Sequence, residues 1–141
     1  MALELASLKK AVTALSAAIE ASRQAEAQPQ LSKEFKNTVR AGVIQCFEVA
    51  YERCWKFIQR WIAENKDQAE ASNPRTRKEL FRLAARYGLV DDPAPWFIYG
   101  DARNLTSHVY DEEKAAMVYE AAKRFPPDAG KLVARLETSN D

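Results

Sequence analysis

The sequence predicts an all-α fold, an antiparallel four-helix (up-and-down) bundle with extra short helices. Apolar residues recur at steps of three and four over long stretches, which is the period of an amphipathic helix. No run alternates between apolar and polar residues for long enough to make a strand, and the chain has only 4 glycines. Its 141 residues, 47% of them hydrophobic, fit one domain over residues 1–141 with a substantial core.

The first two helices are the longest. Residues 2–26 carry a narrow apolar stripe and are followed by Gln28-Pro29-Gln30, which ends the helix. Ser32 is a suitable N-cap for a second helix that continues to about residue 64, because its hydroxyl can accept from the first free amides.

This second helix carries two apolar stripes. The first consists of Phe35, Val39, Val43, Cys46, Ala50, Cys54, Phe57 and Trp61. The second consists of Ile44, Phe47, Tyr51, Trp55, Ile58 and Ile62. Packing against one core requires only one apolar face. The second stripe therefore indicates either a central position in the bundle or packing against another copy of the chain.

The middle of the chain predicts two shorter helices. Asn73-Pro74 is a capped helix start with proline in the first turn, and Gly88 closes this third helix. Residues 91–95 form a rigid proline-containing loop. A fourth helix is expected from residue 96 to about 107.

The C-terminal part predicts two more helices. Asp111 is a candidate N-cap for the fifth. Pro126-Pro127 is expected to stop it, since proline lacks the amide that continues a helix. Residues 128–137 then supply a short last helix.

Composition limits the function classes. The net charge of +1 indicates no general affinity for nucleic acid, so RNA binding would depend on a local basic patch. The third helix offers such a basic side, formed by Arg75, Arg77, Lys78, Arg82 and Arg86.

Cys46 and Cys54 lie about 12 Å apart along one helix, too far for a disulfide, and are expected to be reduced and buried. Without a signal sequence or bilayer-spanning run, a cytoplasmic protein with no membrane partner is expected.

Residues 103–110 concentrate the reactive chemistry. Arg103 lies five residues before His108, the only histidine, and Tyr110 follows two residues later. On a continuous helix Arg103 and His108 would differ by about 140° in azimuth, so they can converge only if the helix ends near Ser107. A guanidinium, an imidazole and a phenol within eight residues indicate a phosphate-handling site, and cleavage of a phosphodiester without a metal needs an acid, a base and positive charge on the phosphorane. Because one histidine cannot serve both proton transfers, a two-fold homodimer that pools both copies would complete the site.

Structural interpretations of the same residues stay open. A histidine near a helix end is often a C-terminal cap, and Arg103 could pair with Asp101 or Asp111. Tyr110 alone is typical of a packing residue. Glu48 and Glu52 lie four apart on the second helix and indicate a solvated or salt-bridged face rather than a metal site, with Glu48 the better candidate to approach residues 103–110.

The order of several motifs resembles the HEPN superfamily, in particular its HepT-like toxin branch, also called nucleotidyltransferase substrate-binding proteins. The segments that carry the resemblance are residues 45–56, Asn73-Pro74-Arg75, residues 80–90, Trp96, residues 103–110 and residues 111–115. Arg53-Cys54 departs from the family, in which small apolar residues are common there.

The resemblance implies a HEPN-like bundle and a ribonuclease toxin with one composite site in a homodimer. Arg103 and His108 would be catalytic, Asn104 would orient the site, and Glu48 and Ser107 are supporting candidates. In the HepT-like branch the residue equivalent to Tyr110 accepts AMP from a minimal nucleotidyltransferase antitoxin, encoded next to the toxin. RNA, with tRNA as one candidate, would be the substrate, and no cofactor or metal is expected.

Two alternatives remain beside this hypothesis. The chain could be a non-catalytic substrate-binding subunit of a two-chain nucleotidyltransferase, as the older family name implies. It could also be a helical adaptor in which residues 103–110 only cap helices.

Overall fold

A computed structural model describes residues 3–66 and 76–139 of the chain. Within these ranges all regular structure is helical, as predicted. The five α-helices and one 3₁₀ turn are α1 (Ala6–Glu26), α2 (Lys33–Asn65), α3 (Arg77–Arg86), α4 (Ala94–Asn104), the 3₁₀ turn (Thr106–His108) and α5 (Glu112–Thr138). None of the helices in the described ranges has the length and apolar character needed to span a membrane.

Helix α2 is the central helix of the bundle. Helix α1 packs along it, and α3, α4, α5 and the 3₁₀ turn also contact it. From Val43 onward both apolar stripes are largely buried within the single chain. The central position therefore explains the second stripe, and that stripe gives no independent support for a dimer. Phe35, at the start of the first stripe, is 51% exposed.

Local capping signals fix several helix ends where the sequence predicts them. The Ser32 hydroxyl accepts from the Phe35 amide at 3.0 Å, and the Asp111 carboxylate accepts from the amides of Glu113 and Lys114. Gly88 has φ of 79°, and the Leu89 amide bonds back to Ala84 carbonyl. This is the Schellman geometry that favours glycine.

Two predicted helix starts need correction, and a third lies outside the described residues. Helix α1 begins at Ala6 rather than at residue 2. Helix α3 begins after Thr76, whose hydroxyl accepts from the Glu79 amide and caps it; Asn73-Pro74 lies outside the described residues. Helix α4 begins at Ala94, within the predicted loop.

The predicted break at Pro126-Pro127 is wrong, because α5 runs through both residues. Phe125 before the prolines and Ala129 after them are fully buried, so packing holds the two halves on one axis. Pro126 is half-buried and Pro127 exposed; they leave the carbonyls of Ala122, which is fully buried, and of Lys123, which is exposed, without their usual amide donors. The expected separate helix over residues 128–137 is therefore the end of α5.

An aromatic cluster fixes α4 against the bundle. Trp96 stacks on Phe81 of α3, with ring centroids 5.0 Å apart, and meets the edge of Phe125 of α5 at 5.3 Å. Tyr99 lies edge-on to Phe125 at 4.9 Å. Each such pair stabilises by about 0.5–1.5 kcal/mol beyond the area it buries. The end of α4 is consequently held in a defined position beside α2.

Candidate functional site

Helix α4 carries Arg103 to the surface of α2. Upstream, the Tyr99 hydroxyl donates to the Asp128 carboxylate and lies 3.2 Å from the Arg124 carbonyl, and Ala102 is buried. These contacts fix the last turn of α4, which ends at Asn104 rather than near Ser107. Arg103 thus lies in the final turn of a well-anchored helix.

The guanidinium of Arg103 is bound by two carboxylates of α2. Its Nε donates to Glu52 Oε1 at 2.7 Å, and its Nη1 lies 3.3 Å from Glu48 Oε2. Neither Asp101 nor Asp111 is its ion-pair partner among the residues the structure describes. Both glutamates approach Arg103, and Glu52, which the sequence ranks second, makes the shorter contact.

Glu52 is the centre of this ion-pair cluster. It accepts from Trp55 Nε1 at 2.5 Å and from Arg77 Nη2 at 3.0 Å, in addition to Arg103. Burial would raise the pKa of the Glu52 carboxyl, but the hydrogen bonds from Trp55 and Arg103 and the charges of both arginines outweigh it and hold the pKa below its ordinary value. Glu52 therefore stays ionised and orients two arginines.

Thr106, in the 3₁₀ turn, links Glu48 of α2 to the last turn of α4. Its hydroxyl donates to Glu48 Oε2 at 2.5 Å, lies 2.8 Å from the Arg103 carbonyl and accepts weakly from Arg103 Nη1 at 3.3 Å. Sequence reasoning missed both Thr106 and the leading role of Glu52. The spacing of Glu48 and Glu52 by one helical turn is the sequence feature that could have indicated the role of Glu52.

His108 and Tyr110 form a second, more exposed part of the region. His108 Nδ1 lies 3.4 Å from Tyr110 Oη, and Tyr110 is 82% exposed. Among the residues that the structure describes, the imidazole caps no helix carbonyl and no hydrogen bond joins it to Arg103. The early end of α4 thus brings His108 to the same end of the helix as Arg103, without direct contact in one chain.

Asn104 and Ser107 are exposed. Their side chains make no hydrogen bond within residues 3–66 and 76–139. Asn104 lines a cavity between α2, α3 and α4. The structure therefore leaves both polar side chains open to solvent beside Arg103.

The chemistry available here is anion recognition combined with proton transfer. The two arginines and two glutamates of the cluster balance in charge, yet Arg103 Nη2 is unbonded in the part of the chain the structure describes. A guanidinium with one open amino group can still bind a phosphate oxygen. An imidazole lies in the adjoining turn.

Comparison with known proteins identifies the family. Residues 3–138 match the model of a family described as nucleotidyltransferase substrate binding protein like. The chain is 35% identical over 105 residues to a Haemophilus influenzae protein named probable ribonuclease HepT, covering 74% of this chain and 72% of that protein.

Two solved structures have similar folds. One, from Haemophilus influenzae, is described as the fold of a substrate binding domain of a nucleotidyltransferase; it has a TM-score of 0.86 at 30% identity, covering 95% of this chain and 99% of that one. The other, from Thermus thermophilus, has a TM-score of 0.62 at 23% identity, covering 86% of this chain and 98% of that one, and supports the fold alone. The chain belongs to the nucleotidyltransferase substrate-binding-like family, in its HepT-like branch.

Proposed function

We propose that this chain is a cytoplasmic, metal-independent ribonuclease toxin of a toxin–antitoxin pair. Arg103 stabilises the phosphorane, His108 transfers protons and Asn104 orients the site, with Glu48 and Ser107 in supporting roles. The relative named probable ribonuclease HepT supports this activity.

One observation carries the proposal. Arg103 is held rigidly by Glu52 and keeps its Nη2 open, and the turn that follows it exposes an imidazole within 3.4 Å of the Tyr110 hydroxyl. Fixed positive charge beside an accessible imidazole is what in-line attack by a 2′-hydroxyl requires. The exposed basic side of α3, including Lys78 and Arg82, offers further phosphate contacts.

The proposed site is completed by a second copy. One chain supplies a single imidazole, which in this structure does not contact Arg103. A two-fold axis close to the 3₁₀ turn would bring two histidines and two arginines to one cleft. The high exposure of Tyr110 is consistent with a surface that another chain or RNA covers.

A minimal nucleotidyltransferase encoded nearby is the proposed antitoxin. It would transfer AMP to the Tyr110 hydroxyl, which the structure leaves accessible. The added phosphodiester would lie beside His108 and repel the RNA backbone.

The test is cleavage of total RNA and tRNA by the purified protein in excess chelator. Wild type is expected to cut, whereas His108→Ala and Arg103→Ala should lose at least about 100-fold in rate, the usual contribution of a proton-transfer or oxyanion-stabilising group. Arg135→Ala is the matched control. Arg135 is 33% exposed and pairs with Asp91 away from this region, whereas Arg103 is 29% exposed.

Sedimentation of the same samples tests the composite site. A dimer is expected for wild type and all three variants. Cleavage by a strict monomer would contradict the shared site, and full activity of His108→Ala would contradict the catalytic role of His108.

A second candidate is the non-catalytic substrate-binding subunit. The observation that favours it is the pairing of Arg103 with Glu52 and Glu48, which already neutralises the charge that a phosphate would need. The description of the similar Haemophilus influenzae structure agrees with this alternative. It predicts tight binding to a nucleotidyltransferase with no cleavage by either chain, and equal binding by wild type and His108→Ala.

A further inference from the structure

A cavity of about 280 Å³ lies between α2, α3 and α4. This volume is close to the lower end of the roughly 300–1,000 Å³ range of small-molecule sites. The buried rings of Tyr51, Phe81 and Trp96 line it, together with polar side chains from α3 and α4. Empty packing gaps are apolar, whereas small-molecule sites combine an apolar wall with a few polar groups. The lining is therefore that of a ligand site.

The Tyr51 hydroxyl lacks a partner at the wall of this cavity. Tyr51 is fully buried, yet its Oη has no hydrogen-bond partner among the described residues. Burial raises the pKa of Tyr51 to about 12, although the nearby charge of Arg77 acts in the opposite direction. The hydroxyl therefore stays protonated at neutral pH and can donate. Buried donors are normally paired, and the acceptor of a bound ligand would pair this one.

Gly100 of α4 leaves room beside the Tyr51 hydroxyl. A Cβ at this position would lie 2.9 Å from Tyr51 Oη, closer than real Cβ atoms come to a neighbour. The tyrosine ring cannot easily retreat, because it packs near Phe47, Phe81 and Phe125. Glycine inside a helix is unfavourable relative to alanine. Here its missing side chain keeps the donor end of Tyr51 next to open space.

The polar part of the lining carries an excess of positive charge. Arg77 uses only its Nη2 to bind Glu52, and within residues 3–66 and 76–139 its Nε and Nη1 make no hydrogen bond. The exposed Lys78 ammonium lies 5.7 Å from the Phe97 ring centroid, and no described carboxylate pairs with it. Asp101, which is exposed, is the one acid among the described lining residues. The cavity thus favours an anion with a single charge.

We propose that this cavity binds a small aromatic carboxylate. The ring of the ligand lies against the aromatic wall, the Tyr51 hydroxyl donates to the carboxylate, and Arg77 and Lys78 supply the opposite charge. A hydrogen bond to an ionised acceptor is roughly twice as strong as one between neutral groups, so the carboxylate suits the unpaired donor. Binding involves neither RNA nor His108, and this inference therefore goes beyond the proposed function.

Titration calorimetry with three related probes tests the two parts of the ligand. We expect 2-naphthoate to bind with a Kd of roughly 0.1–1 mM, as is usual for a ligand of its size. The uncharged 2-naphthamide should bind at least about tenfold more weakly. The saturated decahydro-2-naphthoate should bind about threefold more weakly or worse, because it cannot make ring–ring contacts. Equal affinity for the amide would overturn the carboxylate assignment, and equal affinity for the saturated acid would overturn the aromatic one.

Two variants connect this binding to the cavity. Tyr51→Phe removes only the hydroxyl, so we expect about tenfold weaker binding of 2-naphthoate with an unchanged or higher urea midpoint, because no internal hydrogen bond is lost. Lys78→Gln should also weaken the binding of 2-naphthoate but not that of 2-naphthamide. Lys123→Gln is the matched control and should bind like wild type. The Lys123 ammonium also lies over a ring, 4.6 Å from the Tyr119 centroid, but outside the cavity.

Gly100→Ala tests the space beside the hydroxyl. The single variant should bind 2-naphthoate more than about tenfold more weakly and unfold at lower urea, because the methyl group clashes with Tyr51 Oη. In a double variant with Tyr51→Phe, the methyl group meets only the ring Cζ, at an ordinary 3.7 Å. The double variant should therefore recover the wild-type urea midpoint but still bind weakly. Gly130→Ala, with nothing within 4 Å, is the control.

The outcomes separate this inference from the nuclease proposal. No saturable binding of 2-naphthoate, or wild-type affinity in both Tyr51→Phe and Lys78→Gln, would overturn the cavity assignment whether or not the protein cleaves RNA. A stable double variant that binds like wild type would overturn the role of the hydroxyl. Weakened binding in these variants with normal binding by His108→Ala would support the cavity even if the protein cuts no RNA.

Discussion

Arg103 Nε donates to Glu52 Oε1 at 2.7 Å, and this bond joins two residues that lie 51 positions apart in the chain. It connects the last turn of α4 to the middle of α2. Glu52 also binds Arg77, so one carboxylate orients guanidinium groups from α3 and α4. The position of the candidate phosphate-binding arginine thus depends on a residue outside the segment that contains it.

Replacing Glu52 by glutamine tests this dependence. We expect the free energy of unfolding at pH 7 to fall by about 1–2 kcal/mol, since two charged hydrogen bonds weaken in a partly exposed setting that water screens. Urea unfolding followed by circular dichroism measures the change. Glu20→Gln, which alters an exposed ion pair within α1, is the control and should stay within about 0.5 kcal/mol of wild type.

The pH dependence of the same variant has a defined sign. The pKa of Glu52 is lowered in the folded protein. Its stabilisation is therefore complete above the ordinary glutamate pKa and is lost as pH falls through the lower folded value. Wild type should lose its advantage over Glu52→Gln as pH falls from about 5 into the acid range. An advantage that stays constant down to acid unfolding would show that these contacts do not lower the pKa of Glu52.

Thr106 offers a second test of the cluster. Thr106→Val keeps the shape of the side chain but removes the hydroxyl that bonds Glu48 and the Arg103 carbonyl. We expect the free energy of unfolding to fall by about 1–2 kcal/mol, because the charged acceptor loses its donor. Thr138→Val is a close control, since the Thr138 hydroxyl also donates to an arginine carbonyl three residues earlier but has no carboxylate partner. Equal losses in the two variants would mean that the Glu48 bond contributes nothing.

The helix ends that are predicted correctly from the sequence are those that interactions between residues close together in the chain determine. Ser32 and Asp111 accept from amides two or three residues later, and Gly88 supplies its own positive φ. These interactions need no tertiary information. Thr76 caps α3 in the same local way, whereas the predicted start at Asn73-Pro74 lies outside the described residues.

The site could be predicted only in part, because some of its contacts join residues that are far apart in the sequence. Residues 103–110 stand out because reactive side chains are close together in sequence. Glu52 and Thr106 become important through contacts across 51 and 58 positions, which spacing on one helix cannot predict.

The continuous helix α5 leads to a stability prediction. Proline inside a helix costs about 3 kcal/mol relative to alanine, of which roughly 0.4–1 kcal/mol is offset by the stiffer unfolded chain. We therefore expect Pro127→Ala to raise the free energy of unfolding by about 2 kcal/mol, measured by urea unfolding. Pro95→Ala is the control, because Pro95 lies in the first turn of α4, where no amide donor is needed. A gain of the same size in Pro95→Ala would show that the effect does not come from the helix interior.

Under the proposed function, the Tyr110→Phe variant should still cleave RNA but should no longer be neutralised by transfer of AMP. Tyr110 is exposed and its hydroxyl is 3.4 Å from His108 Nδ1, so an adenylyl group attached there would place a negatively charged phosphodiester at the imidazole. With the nucleotidyltransferase and ATP, wild type and the control Tyr87→Phe should gain one adenylyl group by intact-mass measurement and lose RNA cleavage. Tyr110→Phe should gain none and keep cleaving, because a ring without a hydroxyl still packs beside His108. Modification of Tyr110→Phe at the wild-type rate would contradict the assignment of the acceptor, and a modified wild type that still cleaves would contradict the blocking mechanism.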